Sequence, residues 1–242
     1  MQKIAIISQK GGAGKSTLAI HLAVEAAKTQ NVAIIDLDPQ ASTASWGDRR
    51  EAELPVVRSA HAARLPQEIA LVEENGGELL IIDTAPHSDA AAVEAARAAD
   101  LVLVPVLPNI FDIEAGLATG TLLRRVTDVP FFVVLNEVAP VGTGEADEAE
   151  EALRAQQIPV CPIRIAKRVA YARSLAYGQV ACEFEPGGKA ATEIEHLHRF
   201  ACERVHTITP AGSQVGTPER DQVRTPAQDH TPTQREDHVQ QA

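Results

Sequence analysis

The sequence QKGGAGKST occupies residues Gln9–Thr17, and the rest of the chain can be read outward from it. It follows a short apolar run, Ile4–Ile7, that is typical of a buried parallel strand, and it precedes a segment with helix-like apolar spacing, Leu18–Lys28. Glycines let successive backbone N–H groups turn toward an anion, and a helix N-terminus adds partial positive charge at the same point. Strand, glycine-rich loop and helix in this order therefore predict a loop that binds a nucleotide phosphate.

Within such a loop the polar side chains have separate roles. Lys15 is expected to reach the β- and γ-phosphates, and the hydroxyl of Ser16 is expected to bind Mg²⁺. The residues predicted to bind the nucleotide here are Lys10, Gly11, Gly12, Ala13, Gly14, Lys15, Ser16 and Thr17. An ordinary glycine-rich turn is the alternative, but it does not account for two lysines and a Ser-Thr pair at this spacing.

Two further apolar runs end in an aspartate, at Val32–Asp36 and at Leu79–Asp83. Carboxylates at the C-terminal ends of parallel strands lie in the crevice where α/β proteins bind ligands. Asp83 is therefore predicted to hold Mg²⁺, usually through water. The simpler alternatives are a turn or capping role for Asp36 and Asp38, and a solvent-facing position for Asp83.

The phosphate loop departs from the usual pattern G-x-x-x-x-G-K-[ST], because Gln9 replaces the first glycine and Lys10 follows it. This arrangement resembles the K-G-G-x-x-K-[ST] motif of the ParA/MinD family of deviant Walker A ATPases. The resemblance implies that Lys10 crosses a dimer interface to the partner's nucleotide, while Lys15 serves its own. The D-x-D-P-Q sequence resembles the family's switch I, which implies that Asp38 positions the attacking water and Asp36 supports the Mg²⁺ and loop network.

Other segments carry the same resemblance more weakly. Thr84–Pro86 resembles switch II, which senses the γ-phosphate, and Leu107–Asp112 resembles a loop at the family's dimer face. Asn136, at the tip of an apolar run, matches the family's adenine-contacting asparagine. The arginine that commonly follows it in the family is replaced here by Glu137-Val138-Ala139-Pro140.

The most basic stretch is 164–174, which holds four cations and no acids. One interpretation is a solvated helix face. The other is part of a non-specific DNA surface, with Lys167, Arg168 and Arg173 as the candidate residues, since phosphate-directed cations bind without regard to sequence.

Composition limits the classes of protein that need to be considered. The 242 residues are 45% apolar, and three scattered cysteines are typical of reduced thiols rather than of a disulfide framework. A net charge of −11 argues against permanent coating of nucleic acid, but not against a local basic patch. No signal peptide and no apolar run long enough for a membrane span are found, so we expect a cytoplasmic protein.

The domain organisation predicted is an ATPase domain over residues 1–208 and a disordered tail over 209–242. The tail is rich in Pro, Thr and Gln and lacks the apolar periodicity needed to offset its ordering entropy. We find no amphipathic membrane helix in it, unlike in MinD-like proteins. His87 is expected to be a polar loop residue outside the site.

Alternating strand and helix patterns predict an α/β fold, with a mainly parallel twisted sheet flanked by helices on both faces. The resemblance implies a small ParA-type partition ATPase that lacks the N-terminal DNA-binding domain of larger relatives. It would use ATP and Mg²⁺, form a homodimer on ATP binding, associate with the nucleoid through non-specific DNA contacts, and hydrolyse ATP on stimulation by a ParB-like partner.

Two alternatives stay open. One is a related positioning ATPase whose cargo is a protein assembly, which would keep all of the same motifs. The other is a metabolic P-loop enzyme, such as a dethiobiotin-synthetase-like ligase. A reductase similar to the nitrogenase iron protein would need paired cysteine ligands, which Cys161, Cys182 and Cys202 do not obviously supply.

Overall fold

The central sheet forms from short runs of Val, Ile and Leu that are long enough for strands but too short for stable helices. The computed structural model describes residues 1–86 and 88–208, so the predicted tail and His87 lie outside the described residues. Within these ranges the strands are β1 Gln2–Ile6, β2 Val32–Asp36, β3 Val56–Ser59, β4 Leu79–Asp83, β5 Leu101–Val106 and β6 Phe131–Leu135.

The sheet has the order β3-β2-β4-β1-β5-β6, and every neighbouring pair is parallel. The predicted fold class is therefore confirmed. The register places Asp36 opposite Asp83 and Ile6 opposite Asp83. Because the carboxyl ends of these strands meet at one edge, the loop after β1 and both aspartates face the same crevice.

Helices cover both faces of the sheet. Their bounds are α1 Lys15–Ala26, α2 Ser42–Gly47, α3 Leu65–Glu74, α4 Asp89–Ala98, α5 Ile110–Val126, α6 Gly144–Ala155, α7 Val169–Ala176, α8 Ala181–Phe184 and α9 Lys189–Ile208, with a 3-10 turn at Ala62–Arg64. One apolar core packs α1, α7 and α9 against one face, and a second packs α3 to α6 against the other. None of the helices in the described part of the chain combines the length and apolarity needed to cross a bilayer.

The structure corrects three local predictions. The short apolar run 160–163 predicts a final strand, but only Val160 pairs with the sheet, as a single bridge to β6. The basic stretch 164–174 is helical only from Val169, and the residues before it form a loop. The sequence pattern predicts a helix from Ile113, but α5 begins at Ile110, because Asn109 caps it by accepting a hydrogen bond from a backbone N–H of the first turn.

Candidate nucleotide-binding site

The glycine-rich loop joins β1 to α1 in a conformation that requires glycine. Gly12 has φ of +79° and Gly14 has φ of +91°, both in the left-handed region. A Cβ added to Gly14 would overlap the side-chain amide of Asn136. That amide donates a hydrogen bond to the carbonyl of Ala13, with an Nδ2–O distance of 2.8 Å. The tip of β6 therefore holds the loop in place.

Lys15 begins α1 and lies almost wholly inside the loop. Its Nζ donates a hydrogen bond of 3.2 Å to the carbonyl oxygen of Lys10. Burial lowers the pKa of Lys15, while the charges of Asp83 and Asp38 raise it. A buried ammonium group with few neighbouring partners is stabilised by an anion, so this geometry suits phosphate binding.

Lys10 points away from this arrangement. Its Nζ forms an ion pair with Asp112, a buried carboxylate in the first turn of α5. The side chain of Lys10 remains 37% exposed. The sequence motifs singled out Lys10 and the Leu107–Asp112 loop separately. No sequence signal predicted that Lys10 pairs with Asp112.

Asp36 and Asp38 organise the loop after β2. One carboxylate oxygen of Asp36 accepts from the backbone N–H of Asp38, at 2.9 Å. The other accepts from the N–H groups of Thr43 and Ala44, both at 3.1 Å, and so caps α2. Burial raises the pKa of Asp36 despite these bonds. The predicted loop-supporting role fits this geometry, and a direct role of Asp36 in metal binding stays a prediction.

Asp38 itself is half-buried at the entrance to the crevice. One of its carboxylate oxygens accepts from the backbone N–H of Gln40, at 2.9 Å. Its charge acts on Lys15. Asp38 therefore lies near the ammonium group of Lys15, and its water-positioning role stays a prediction.

Asp83 is fully buried at the tip of β4. Its Oδ2 accepts a hydrogen bond of 2.7 Å from the hydroxyl of Thr43, while its Oδ1 has no hydrogen-bond partner within the described residues. Burial raises the pKa of Asp83 to about 7, although the nearby hydroxyls of Ser16 and Thr43 act to lower it. Sequence reasoning missed Thr43, since a threonine in the first turn of a helix gives no signal of a contact with a strand 40 residues away.

These residues fit a magnesium ion. The unpartnered Oδ1 of Asp83 and the nearby hydroxyl of Ser16 are both oxygen donors, which Mg²⁺ prefers, and Mg²⁺ takes few protein ligands because it retains water. Among the described residues no group of three or more His, Cys, Asp or Glu side chains could form a protein-only metal site. A Mg²⁺ ion held by Ser16 and Asp83 would take its remaining ligands from water and phosphate oxygens.

A depression of about 160 Å³ lies beside the loop. It is lined by Gly14, Thr17, Asn136, Tyr171 and the basic loop before α7. Asn136 lies next to the loop with its amide bonded to backbone, and its contact with adenine stays a prediction.

The candidate DNA residues are mostly paired with acids. Nζ of Lys167 lies 3.0 Å from Oε2 of Glu137, and Nη2 of Arg168 lies 2.5 Å from Oε1 of Glu193. Arg173 instead stacks over the ring of Phe184, at 5.6 Å from its centroid, and forms no ion pair within residues 1–86 and 88–208. The structure therefore brings the three cations to one region but leaves only Arg173 uncompensated.

The parallel sheet, the loop between β1 and α1 and the two strand-end aspartates define a P-loop nucleotide-binding protein. Residues 4–181 match the model of the CobQ/CobB/MinD/ParA nucleotide binding domain. The chain therefore belongs to this family, whose ParA/MinD members are P-loop ATPases.

The similarity of this chain to relatives and to solved structures extends over most of its length. The chain is 31% identical to Maintenance of carboxysome distribution protein A of Gloeobacter kilaueensis, over 84% of this chain and 93% of that protein. It is 26% identical to Protein ParA of Rhizobium radiobacter, over 87% of this chain and 99% of that protein. The structure of apo McdA from Cyanothece superposes with a TM-score of 0.71 at 17% identity, over 84% of this chain and 99% of that chain.

Proposed function

We propose that this chain is an ATP-driven positioning switch, in which two copies join face to face on binding ATP and separate after hydrolysis. The observation that supports dimerisation is the direction of Lys10. Its ammonium lies on Asp112 and not over its own phosphate loop, which Lys15 already fills. A partly exposed cation of this kind would be available to the phosphates of a second subunit.

Hydrolysis follows from the remaining residues of the crevice. Lys15 neutralises phosphate charge, Asp38 orients the attacking water, and the Asp36 network fixes the loop that carries Asp38. Ser16 and Asp83 would hold Mg²⁺, which stabilises negative charge on phosphate oxygens when it is bound. We expect slow turnover in the absence of a partner, because a fast site would reset the switch before the partner acts.

We infer that the cargo is a protein assembly. The support is the 31% identity with a carboxysome distribution protein over most of both chains. In this proposal the ATP dimer binds DNA non-specifically and uses the nucleoid as a scaffold, with Arg173 the strongest of the three candidate contacts because it carries no acidic partner within the described ranges.

Partition of DNA by a ParB-like partner is the second candidate. It is supported by the 26% identity with Protein ParA of Rhizobium radiobacter over nearly the whole of that protein. Both candidates require the same ATP-dependent dimer and the same DNA binding, so they differ only in what is carried.

The first experiment measures binding of the protein to random-sequence duplex DNA with no nucleotide, with ADP and with ATP, across a salt series. ATP-selective, salt-sensitive binding that Lys10→Ala abolishes supports the switch. Absence of DNA binding in every state, with an intact ATP dimer, would overturn it and favour a metabolic enzyme.

A second experiment separates the two cargoes. The ATP-trapped protein is cross-linked in its own cells, and the attached proteins are identified. A centromere-binding protein favours partition, whereas a component of a protein compartment favours assembly positioning.

A further inference from the structure

Strand β3 forms one edge of the sheet and pairs only with β2 in the described part of the chain. It has four residues, and Val56 at its start is 48% exposed. An edge strand presents backbone N–H and C=O groups that another extended segment can pair with. The neighbouring surface determines which segment fits.

On the α3 side of β3 lies an apolar groove of about 400 Å³. Val32, Val56, Leu71 and Val72 contribute to its walls, and Leu71 is 38% exposed. Arg58 also lines this groove, but its charge is compensated by Glu68 at 2.6 Å. The apolar groove therefore offers space for an aliphatic side chain and no net charge.

On the α2 side lies an acidic groove of about 290 Å³. Val57 lines it together with Asp48, Arg50 and Glu53. Arg50 is bound to Glu183 at 2.9 Å, whereas neither Asp48 nor Glu53 forms an ion pair within residues 1–86 and 88–208. The acidic groove therefore carries two uncompensated negative charges.

The two grooves lie on opposite faces of the same strand. Successive side chains of a strand point to opposite faces. Arg58 lines the apolar groove and Val57 lines the acidic one, while Val56, at the start of the strand, borders both. A segment added beside β3 would follow the same alternation. Every second side chain would enter the apolar groove, and the side chains between them would face Asp48 and Glu53.

We propose that the edge of β3 is a docking site for an extended segment of a partner protein in which aliphatic and basic residues alternate. Main-chain pairing with β3 supplies affinity, and the two unlike grooves supply specificity. This site goes beyond the proposed function, since its apolar groove lies toward the beginning of β2 and β3, away from the strand ends that carry Asp36 and Asp83.

A second copy of this chain is a poorer occupant. Pairing two β3 edges would bring the acids Asp48 and Glu53 of both copies together, and like charges across a strand pair are destabilising. The net charge of −11 also favours a basic partner over another copy of the same protein.

The test uses a fluorescent peptide of alternating valine and lysine, with its binding to the full chain followed by anisotropy. Leu71→Asp should weaken binding roughly tenfold or more, since it removes an aliphatic contact and places a charge in the apolar groove, and Leu71 does not line the acidic groove. Val141→Asp is the matched control, because Val141 is 89% exposed on a loop outside both grooves and should leave binding unchanged. Bound peptide should also slow hydrogen exchange of the β3 backbone.

Further comparisons separate the contributions to binding. Replacing the peptide's lysines by glutamates, or methylating its backbone nitrogens, should weaken binding about fivefold or more. Equal binding of wild type and Leu71→Asp, with both proteins folded and binding ATP equally, would overturn the proposal. A dimer that forms without nucleotide and is lost in Leu71→Asp would overturn it as well, and would assign this surface to a second copy.

Discussion

His21 gives the sharpest test of the packing around the phosphate-loop helix. Its ring is buried in α1, and Nδ1 lies 2.7 Å from the carbonyl oxygen of Thr17. The ring also makes an edge-to-face contact with Tyr171, with ring centroids 5.1 Å apart. A carbonyl only accepts hydrogen bonds, so Nδ1 carries the hydrogen, and Nε2 has no partner among the described residues. Protonation would place a second N–H in a site without an acceptor.

The effect on stability follows from the pKa. Burial lowers the pKa of His21 from 6.5 to about 4. The unfolded chain therefore takes up a proton between these values while the folded chain does not, so stability is full above pH 6.5 and falls as the pH drops toward 4. The loss attributable to His21 is about 2 kcal/mol at pH 5 and about 3 kcal/mol at pH 4.

The assay compares urea unfolding of the wild type and His21→Phe without nucleotide, from pH 7.5 down to pH 4.5. Phenylalanine keeps the aromatic contact and does not titrate. Between pH 7.5 and pH 5, the free energy of unfolding of the wild type should therefore fall by about 2 kcal/mol relative to that of His21→Phe. A comparison is needed because burial raises the pKa of Asp83 to about 7, which stabilises the fold as the pH falls. The exposed His61→Asn is the control, and a difference between wild type and His21→Phe that stays constant with pH would refute the reasoning.

Three further predictions concern the crevice. Gly14→Ala, strained by a φ of +91°, should bind a fluorescent ATP analogue roughly tenfold to a hundredfold more weakly, whereas Gly144→Ala, with no heavy atom within 4 Å of the added Cβ, should bind normally. Thr43→Val removes the donor to Asp83 and should lower the free energy of unfolding by about 1–3 kcal/mol in urea titrations, and unchanged stability would show that the bond contributes nothing. Asp38→Ala should hydrolyse ATP about a hundredfold more slowly or worse yet still dimerise with ATP on size exclusion, and normal turnover would remove it from the water-positioning role.

The glycine-rich loop between β1 and α1 and the strand-end acids could be predicted because their signals are local. A lysine and a serine after a glycine-rich turn, or an aspartate after four apolar residues, indicate the same local structure wherever the rest of the chain lies. The parallel sheet could be predicted for the same reason, since strand and helix periodicities are read over short windows.

The basic stretch shows where such local reading fails. It contains four cations and no acids, so it reads as a positive surface. Its neutralising partners come from outside the stretch, with Glu137 on Lys167 and Glu193 on Arg168. Only the folded structure shows that, of the three candidate DNA contacts, Arg173 alone has no acidic partner among the described residues.

The contacts that shape the site are likewise non-local. Thr43 reaches Asp83 because β2 and β4 are neighbours, and Asn136 holds the phosphate loop because β6 ends at the same edge of the sheet. The sequence alone identifies the residue types that are able to bind phosphate and metal. Which of them remain free for a ligand depends on hydrogen bonds and ion pairs between distant segments, and those form only when the sheet brings the segments together.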